Sequence, residues 1–270
     1  MSGGVKRIIL LTLGWEELPK SVSVFGAPPE QRMREPVPGV LLETDGGWLL
    51  LDTGFNTALV RDPWLYKRYF PAVDYRPVLP GPGEPIEEGL AAVGVDIDDI
   101  HGVALSHLHH DHAGGLKLFA GRVPVHMQQR EYDFGMAPGY DMERYALNKV
   151  DYDDPRIEWQ LTDGEGQIAP GVTVIPTYGH TPGHQSFLVD LDSSVGGGGF
   201  VFAFDAADLT ENIEQELPIG GVVGIDPRET VEPIRRLKKL AHEKGYPLIP
   251  GHDPHVWPAM TKALADKFGA

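Results

Sequence analysis

The sequence predicts one α/β domain that spans residues 1–270. Short apolar runs typical of buried strands alternate with helical segments from one end of the chain to the other, and no linker or internal repeat divides it into halves. Alternation of this kind is typical of domains in which helices cover the faces of a β-sheet. Hydrophobic residues make up 41% of the 270 positions, which is enough for a sizeable core.

Nine short apolar runs predict the strands, and turn sequences separate several of them. The second and third runs are divided by Asp45-Gly46-Gly47, which predicts a tight hairpin because glycine tolerates the positive φ that such a turn requires. A looser hairpin over residues 192–199 precedes the eighth run. The predicted strands are Ile8–Leu13, Val40–Thr44, Trp48–Leu51, Ile100–Leu105, Arg122–Met127, Val172–Pro176, Ser186–Leu191, Phe200–Phe204 and Pro247–Pro250.

Two segments predict helices, and two others lack a clear pattern. Glu84–Val93 has helical character, and the amphipathic segment Arg235–Lys244 is followed by Gly245, a typical residue after the end of a helix. Residues 61–85 are rich in proline and aromatic side chains and are expected to form an irregular excursion. Residues 131–160 are expected to form a second, partly helical one. Long excursions are usually functional or mobile.

The chain is strongly acidic, with 39 Asp and Glu against 23 Lys and Arg and a net charge of −16. Nucleic-acid sites need lysine and arginine to displace counterions from phosphate, so nucleic acid is not an expected partner, and neither is an anionic membrane. No run approaches the roughly 18–20 apolar residues of a membrane span, and residues 1–6 do not begin a signal peptide. A cytoplasmic protein is expected.

The absence of cysteine restricts the chemistry that the chain can perform. Disulfides, thiolate nucleophiles and zinc sites that use sulfur are all excluded. Any metal ion must therefore be held by histidine and carboxylate side chains.

A histidine cluster follows the fourth predicted strand. The segment 106–115, SHLHHDHAGG, holds four histidines and one aspartate within six residues. His107 and His109 lie two residues apart in an extended segment, so their side chains project to the same side. Asp111 and His112 follow where the chain turns into a helix, which directs them differently. One short loop can thus present two ligands to each of two metal ions, and its place after an apolar strand disfavours a merely solvated polar loop.

Three further candidate ligands each follow a predicted strand. His180 lies in TYGHTPGH after the sixth strand, Asp205 follows the eighth, and His252 follows the ninth. The carboxyl ends of strands in an α/β scaffold collect functional groups at one rim, so we expect these residues to meet the histidine cluster. Each alone is more typical of a turn or of the core. Together with the cluster they predict a dinuclear metal site.

With these residues the chain resembles the metallo-β-lactamase superfamily. The resemblance extends over nearly the whole sequence, from LDTG at 51–54 through HLHHDHAGG at 107–115 to PGH at 250–252. Within that superfamily the chain is most similar to the N-acyl-homoserine lactonases, on the segments HTPGHQS at 180–186 and FDAADLTENIEQELP at 204–218. The family implies an αββα sandwich with the metals at one edge of the paired sheets.

The resemblance also implies a ligand set and a mechanism. It assigns His107, His109 and His180 to one ion and Asp111, His112 and His252 to the other, with Asp205 bridging the two. These ligands favour zinc, with iron, cobalt or manganese as alternatives. A hydroxide between the ions, formed from water whose pKa is lowered to about 7, would attack the ring of an N-acyl-homoserine lactone. One ion would stabilise the oxyanion that forms. The implied activity is quorum quenching.

Four residues are given further roles. Asp52 resembles the family's aspartate that orients a metal-bound histidine, with a turn aspartate as the alternative, and His184 is a candidate for the same role. Asp208 stands where the lactonases carry a tyrosine that contacts the lactone. It is a candidate general acid for the leaving alkoxide or, alternatively, the N-cap of the next segment. Asp111 is the other candidate catalytic residue.

With Asp208 at this position the chain lacks the family's phenol as a hydrogen-bond donor, because a carboxylate donates no hydrogen bond unless it is protonated. The tyrosines of the two excursions that could supply it are Tyr66, Tyr69, Tyr140 and Tyr145. The aromatic run Trp64–Phe70 is a candidate lining for an acyl pocket or a dimer contact. The remaining histidines are expected to be surface or core residues: His101, His110, His126, His242 and His255.

The expected partner is a small acyl lactone or a related ester, and a homodimer is compatible with the sequence. Another ester, a thioester or a β-lactam on the same metals is the alternative. A di-iron oxidoreductase of the same fold is disfavoured because His109 stands where that class typically has glutamate. A nuclease is disfavoured by the charge, and a non-catalytic metal-binding module by the full ligand set.

Overall fold

Two β-sheets stacked face to face form the centre of the protein in the computed structural model, which describes residues 3–138 and 146–269. Its strands are β1 (Arg7–Pro19), β2 (Arg32–Thr44), β3 (Gly47–Leu51), β4 (Arg76–Val78), β5 (Ile100–Ala104), β6 (Pro124–Gln128), β7 (Glu158–Thr162), β8 (Gly166–Ala169), β9 (Val172–Pro176), β10 (Gln185–Asp190), β11 (Gly199–Phe204) and β12 (Leu248–Pro250). The first sheet has the strand order β4-β1-β2-β3-β5-β6-β7, and the second has the order β12-β11-β10-β9-β8.

Helices cover the outer face of each sheet. They are α1 (Lys20–Ser23), α2 (Thr57–Arg61), α3 (Pro63–Tyr69), α4 (Pro85–Ala92), α5 (His110–Ala113), α6 (Gln129–Met136), α7 (Lys149–Tyr152), α8 (Thr210–Gln215), α9 (Val231–Lys244) and α10 (Val256–Phe268). Short 3₁₀ turns lie at Ile97–Asp99, Leu116–Phe119, Ser193–Val195 and Pro227–Thr230.

Neighbouring residues of the central strands pack into different apolar layers. Ile8 in β1 packs between the sheets with Phe187 in β10, whereas Ile9 packs on the other side of β1 with Leu90 in α4. On the far side of the second sheet, Leu188 packs with residues of α9. Strands that are buried on both faces need apolar side chains at successive positions, which is why these strands form continuous apolar runs. The layers confirm the expected αββα sandwich.

Most of the predicted elements are present. The hairpin between β2 and β3 turns at Asp45-Gly46, and Thr44 pairs with Gly47, whose φ is +104°. Both predicted helices form, as α4 and α9, and Gly245 ends α9 with a φ of +67°. The sequence did not indicate β7, β8 or α10. The two strands carry few buried side chains, so the alternation that marks a half-buried strand is weak in them.

The expectation of an irregular excursion over residues 61–85 is wrong, because this segment includes α3 and β4. Asp62 starts α3 by accepting hydrogen bonds from the backbone N–H groups of Trp64 and Leu65, and Pro63 fits the first helical turn. β4 pairs with β1. In the second excursion, residues 139–145 lie outside the described residues, and the remainder forms α6, α7 and the start of β7.

Parallel pairing brings the functional segments to one edge of the sandwich. β3 pairs in parallel with β5, so that Leu51 lies opposite Ala104, and β11 pairs in parallel with β12, so that Phe204 lies opposite Pro250. The residues that follow these four strands therefore emerge at the same edge. No helix in the described ranges is long and apolar enough to cross a membrane. The single domain, the homodimer and the cytoplasmic location stay predictions.

Candidate metal centre

The predicted ligands converge in two adjoining clusters at the edge where β3, β5, β11 and β12 end. The first cluster is His107, His109, His180 and Asp205, and the second cluster is Asp111, His112 and His252; within each cluster the ligand atoms lie within 4.8 Å of one another. Every one of these side chains is buried. The seven candidate ligands therefore lie together in two groups, and each group could hold a metal ion.

Asp205 lies between the two clusters and presents one oxygen to each. Its Oδ2 is 3.3 Å from His180 Nε2, while its Oδ1 is 3.1 Å from His252 Nε2 and 3.2 Å from His112 Nε2. The residue before it, Phe204, has a φ of +48°, which is uncommon for a residue other than glycine. This backbone conformation ends β11 sharply and directs Asp205 into the centre.

The histidine motif adopts the local structure that its spacing predicts. His109 is extended, with φ −61° and ψ 152°, and precedes α5, which carries Asp111 and His112. Thr53 holds the end of this segment, since its backbone N–H and its Oγ1 both donate to the His112 carbonyl at 2.7 Å. Gly114 is required by close packing, because a Cβ there would lie 2.2 Å from the backbone nitrogen of Asn56.

The protonation of the first cluster fits a bound cation. Burial lowers the pKa of His107 and His109 well below the usual range, which leaves both imidazoles neutral, the form that ligates metals. Their Nε2 atoms are buried without a hydrogen-bond partner. An unsatisfied buried polar atom costs about 1–3 kcal/mol, so these nitrogens are better placed against an ion than against protein. The donor set of imidazoles and carboxylates suits divalent metals.

Asp52 contacts a ligand candidate directly. Its Oδ2 accepts a hydrogen bond from His112 Nδ1 at 2.7 Å, and its Oδ1 accepts one from the backbone N–H of Ser106 at 2.7 Å. A proton on Nδ1 leaves His112 Nε2 free to face the second cluster. Asp52 is held with a φ of +58°, so this contact is built into a strained backbone position, which is frequent at functional sites.

His184 lies behind the first cluster and contacts it through its ring. The ring centroid is 5.2 Å from that of His107, and Nδ1 is 2.8 Å from Thr177 Oγ1. Within the described part of the chain, His184 forms no hydrogen bond with a ligand candidate. An orienting role for His184 stays a prediction that no hydrogen bond to a ligand supports.

A cavity of about 340 Å³ opens beside the clusters. Its lining includes the apolar residues Leu18, Val22 and Phe70 and the three carboxyl groups of Glu16, Glu35 and Asp208, which we call the acidic wall. All three carboxylates are buried. Burial and the Asp111 carboxylate raise the pKa of Glu16 to about 8, and burial raises the pKa of Glu35 to about 7.

Asp208 lies in this wall, and its predicted alternative role as a helix cap is wrong. The N-cap residue of α8 is Leu209. The first free N–H groups of α8 are satisfied by other side chains: Leu209 N donates to Asn212 Oδ1, and Thr210 N donates to Asp253 Oδ2. Asp208 Oδ1 is instead buried without a hydrogen-bond partner.

The first excursion lines part of the cavity, but not with all the predicted side chains. Tyr69 lines it and Tyr66 does not, while Tyr140 and Tyr145 lie outside the described residues. Tyr75 also lines the cavity, although no pattern in the sequence marks it. Its hydroxyl donates to the buried Glu16 carboxylate and lies 3.4 Å from His110 Nδ1.

His110 is a buried cavity residue, whereas the other unassigned histidines lie away from the centre. Its ring packs against Phe55, Phe70 and Tyr75, with centroids 5.0–5.9 Å apart. His101, His242 and His255 are exposed and His126 is half-buried. Surface or core positions were expected for all of them.

Glu131 was also missed, and it joins the two loops that carry the first cluster. One oxygen accepts a hydrogen bond from Leu108 N at 3.1 Å, and the other accepts from Thr181 Oγ1 at 2.8 Å and from Gly183 N at 2.9 Å. Leu108 lies between His107 and His109, and Thr181 follows His180. No pattern in the sequence links α6 to these loops, because the contact is made across the fold.

The comparisons with known proteins identify the family. A family model described as the metallo-beta-lactamase superfamily matches residues 33–252. The chain belongs to the metallo-β-lactamase superfamily. This membership confirms the expected class, a metal-dependent hydrolase, and the buried clusters fit the divalent ions that such enzymes use.

The relatives found by sequence and by structure are similar over nearly their whole length. The N-acyl homoserine lactonase AiiA of Bacillus thuringiensis subsp. kurstaki is 30% identical over 249 residues, which is 92% of this chain and 94% of the relative. The N-acyl homoserine lactonase AttM of Azorhizobium caulinodans is 32% identical over 241 residues, which is 84% of this chain and 86% of the relative. A B. thuringiensis AiiA mutant, solved with N-decanoyl-L-homoserine bound at its active site, has a TM-score of 0.81 at 28% identity and covers 95% of this chain and 96% of that chain.

The contact between Asp52 and His112 predicts the effect of Asp52→Asn. The asparagine amide has the size of the carboxylate and tolerates positive φ. It is uncharged and has only one oxygen, so it cannot accept the hydrogen bonds from His112 and Ser106 as the two carboxylate oxygens do. We expect affinity for one ion to fall by about 10–100-fold, measured by titration against a metal chelator. Asp266→Asn on the exposed face of α10 is the control. Unchanged affinity for both ions would mean that Asp52 is only a turn residue.

Glu131→Gln tests the connection between the two loops. Glutamine keeps one acceptor oxygen but turns its amide donor toward an N–H or O–H group that already donates, so the loops separate. We expect metal affinity to fall by about tenfold or more. The activity that remains with bound ions should depend on pH as in the wild type. Glu158→Gln, on the exposed side of β7, is the matched control. Two ions bound as tightly as in the wild type would contradict this role.

Proposed function

We propose that this protein is a dinuclear metal-dependent lactonase that opens the ring of an N-acyl-homoserine lactone. The observation that carries the proposal is the position of Asp205, whose two oxygens face two buried clusters of neutral or carboxylate-paired histidines. The sequence relatives support the substrate class, because the curated proteins similar to this chain over most of its length are N-acyl homoserine lactonases.

In this proposal each cluster would hold one ion, and Asp205, which lies between the clusters, would serve both. Zinc is favoured by the imidazole and carboxylate ligands, with iron, cobalt or manganese as alternatives. When bound, two such ions supply a water of lowered pKa as nucleophile and polarise an ester carbonyl. The protein's own contribution is to bury the ligands, orient them and shield them from bulk water.

The cavity residues place the substrate and handle its protons. The apolar lining residues Leu18, Val22 and Phe70 receive the acyl chain, and Glu16, Tyr75 and His110 border the second cluster. Asp208 lies next to Asp205 and His252, where its carboxyl group donates a proton to the alkoxide that leaves as the ring opens. This position replaces the tyrosine that the resembling lactonases carry.

A second candidate is hydrolysis of a different ester on the same metals. One observation favours it. The buried carboxyl group of Asp208 stands where the resembling lactonases have a tyrosine, and it offers no hydrogen-bond donor when ionised.

A substrate panel with the metal-loaded protein tests the proposal. The panel contains lactones of varied acyl length, a thioester, a β-lactam and a phosphodiester, with kcat/KM as the measurement. We expect acyl lactones to be the best substrates and metal analysis to find close to two ions per chain. A preference for a substrate other than a lactone would refute the lactonase proposal. Full activity with a single ion would refute the dinuclear centre.

His109→Ala and Asp111→Ala should each abolish turnover and lower the metal content. The two residues belong to different clusters, so the loss of either removes part of the shared centre. His101→Ala is the control, because His101 is an exposed histidine of β5, the strand that leads to the histidine motif. Turnover near the wild-type rate in both variants would show that the active site lies elsewhere.

Asp208→Asn tests the proton donor. If Asp208 protonates the leaving oxygen, kcat and kcat/KM should fall by similar factors, in the range of about 10²–10⁴-fold, and a substrate with an activated leaving group should lose much less. Asp208→Tyr restores the family residue, and a gain on acyl-homoserine lactones would favour a different native substrate. An asparagine variant that matches the wild type on every lactone would end the role.

A further inference from the structure

Two buried glutamines connect the sheets next to the first cluster. Gln128 is the last residue of β6 and Gln185 is the first residue of β10. The side chain of Gln185 donates from Nε2 to the Leu105 carbonyl at 2.7 Å, and its backbone N–H donates to the Ser106 carbonyl at 2.9 Å. β5 belongs to the first sheet and β10 to the second. Gln185 therefore joins the two sheets at the residues that directly precede His107.

Gln128 fixes the orientation of the Gln185 side chain. Its Nε2 donates to Gln185 Oε1 at 2.9 Å and to the Gly164 carbonyl at 2.8 Å. Its Oε1 accepts from the backbone N–H of Gly164 at 3.0 Å and from the Tyr178 hydroxyl at 3.2 Å. Because Gly164 presents both a donor and an acceptor, the Gln128 amide fits in only one orientation. Gln185 Oε1 then faces Gln128, and its Nε2 is directed to Leu105.

The same pair holds both ends of the loop that carries His180. This loop, residues 177–184, joins β9 to β10. Tyr178 near its start contacts Gln128, and Gln185 follows its last residue. The rings of His107 and His180 lie with their centroids 4.8 Å apart and their planes at 89°. Their Nε2 atoms are 3.7 and 3.3 Å from the same oxygen of Asp205, so the spacing of the two segments decides the geometry of the first cluster.

We infer that Gln185, oriented by Gln128, is a positioning residue that sets the spacing of His107 and His180. It acts on these ligands through the backbone at 105–106 and through the loop 177–184. Metal ligands must be held within about 0.5 Å of their productive geometry, so a small separation of the two segments weakens the site. The inference rests on the proposed function, which gives each cluster one ion.

The second cluster has other supports and is affected less. Thr53 and Asp52 hold His112 through its carbonyl and its Nδ1. The backbone N–H of His252 donates to the Asp208 carbonyl at 2.9 Å, and its Nδ1 lies 3.0 Å from the Pro36 carbonyl. None of these contacts involves either glutamine. A change at Gln185 is thus expected to separate the two clusters in their affinity for metal.

Gln185→Met tests the inference through cobalt binding, without any turnover. Methionine is unbranched and similar in length, but it neither donates to Leu105 nor accepts from Gln128. Co²⁺ is titrated into the metal-free protein and followed by its visible absorption. The bands lost in His180→Ala report the first cluster, and those lost in His252→Ala report the second. We expect cobalt affinity at the first cluster to fall by about tenfold or more, and at the second by less than about threefold.

Two controls separate positioning from general stability. Gln167→Met changes an exposed glutamine of β8 in the same sheet as Gln185, and both cobalt affinities should stay as in the wild type. Leu237→Ala removes a buried side chain from the layer between α9 and the second sheet. It should lower the melting temperature and leave the cobalt spectrum unchanged.

Two further variants keep the test open if Gln185→Met does not fold. Gln128→Met should give the same selective loss, and Tyr178→Phe, which removes only one hydroxyl from a half-buried ring, should give a smaller loss in the same direction. Equal losses at both clusters, or an unchanged first cluster in the folded variants, would overturn the inference and leave the proposed function intact. A wild-type protein that binds cobalt at neither cluster would contradict the proposed centre and the inference with it.

Discussion

The carboxylate of Asp205 contacts both histidine clusters, and the rest of the centre is arranged around it. Its oxygens lie 3.1–3.3 Å from nitrogens of three histidines that come from different loops. Bringing these loops together requires β5, β9, β11 and β12 to end at one edge of the sandwich, and the parallel pair β11–β12 places Asp205 and His252 side by side there. The apolar layers on both sides of the sheets hold those strand ends in place.

Residues that are not ligands fix the orientation of those that are. Asp52 holds His112 through Nδ1, Ser106 Oγ lies 2.9 Å from His107 Nδ1, and Glu131 joins the two loops of the first cluster. Two of the four described non-glycine residues with positive φ, Asp52 and Phe204, lie beside the centre. Strain of this kind persists only where the surrounding contacts determine the conformation, so the geometry of the centre is set by the whole fold.

The cavity combines an ordinary metal centre with an unusual wall. Its apolar side chains suit an acyl group, while Glu16, Glu35 and Asp208 add three buried carboxyl groups to the lining. Asp208 belongs to both features, because it lies beside Asp205 and also faces the cavity. Asp208 is not one of the seven candidate ligands, so a different residue at this position would alter the cavity and leave that ligand set unchanged.

The sequence by itself indicated the candidate ligands, most strands and the family, because each of these depends on local spacing. His107 and His109 share a side because they lie two residues apart in an extended segment, and β1 is apolar because both its faces are buried. The helix α3 was missed because proline and aromatic residues obscure its pattern. Only the tertiary structure decided the surroundings of the centre. Glu16, Glu35 and Glu131 lie on β1, β2 and α6, far from the motifs in sequence, and they reach the ligands only through packing, which leaves no local pattern.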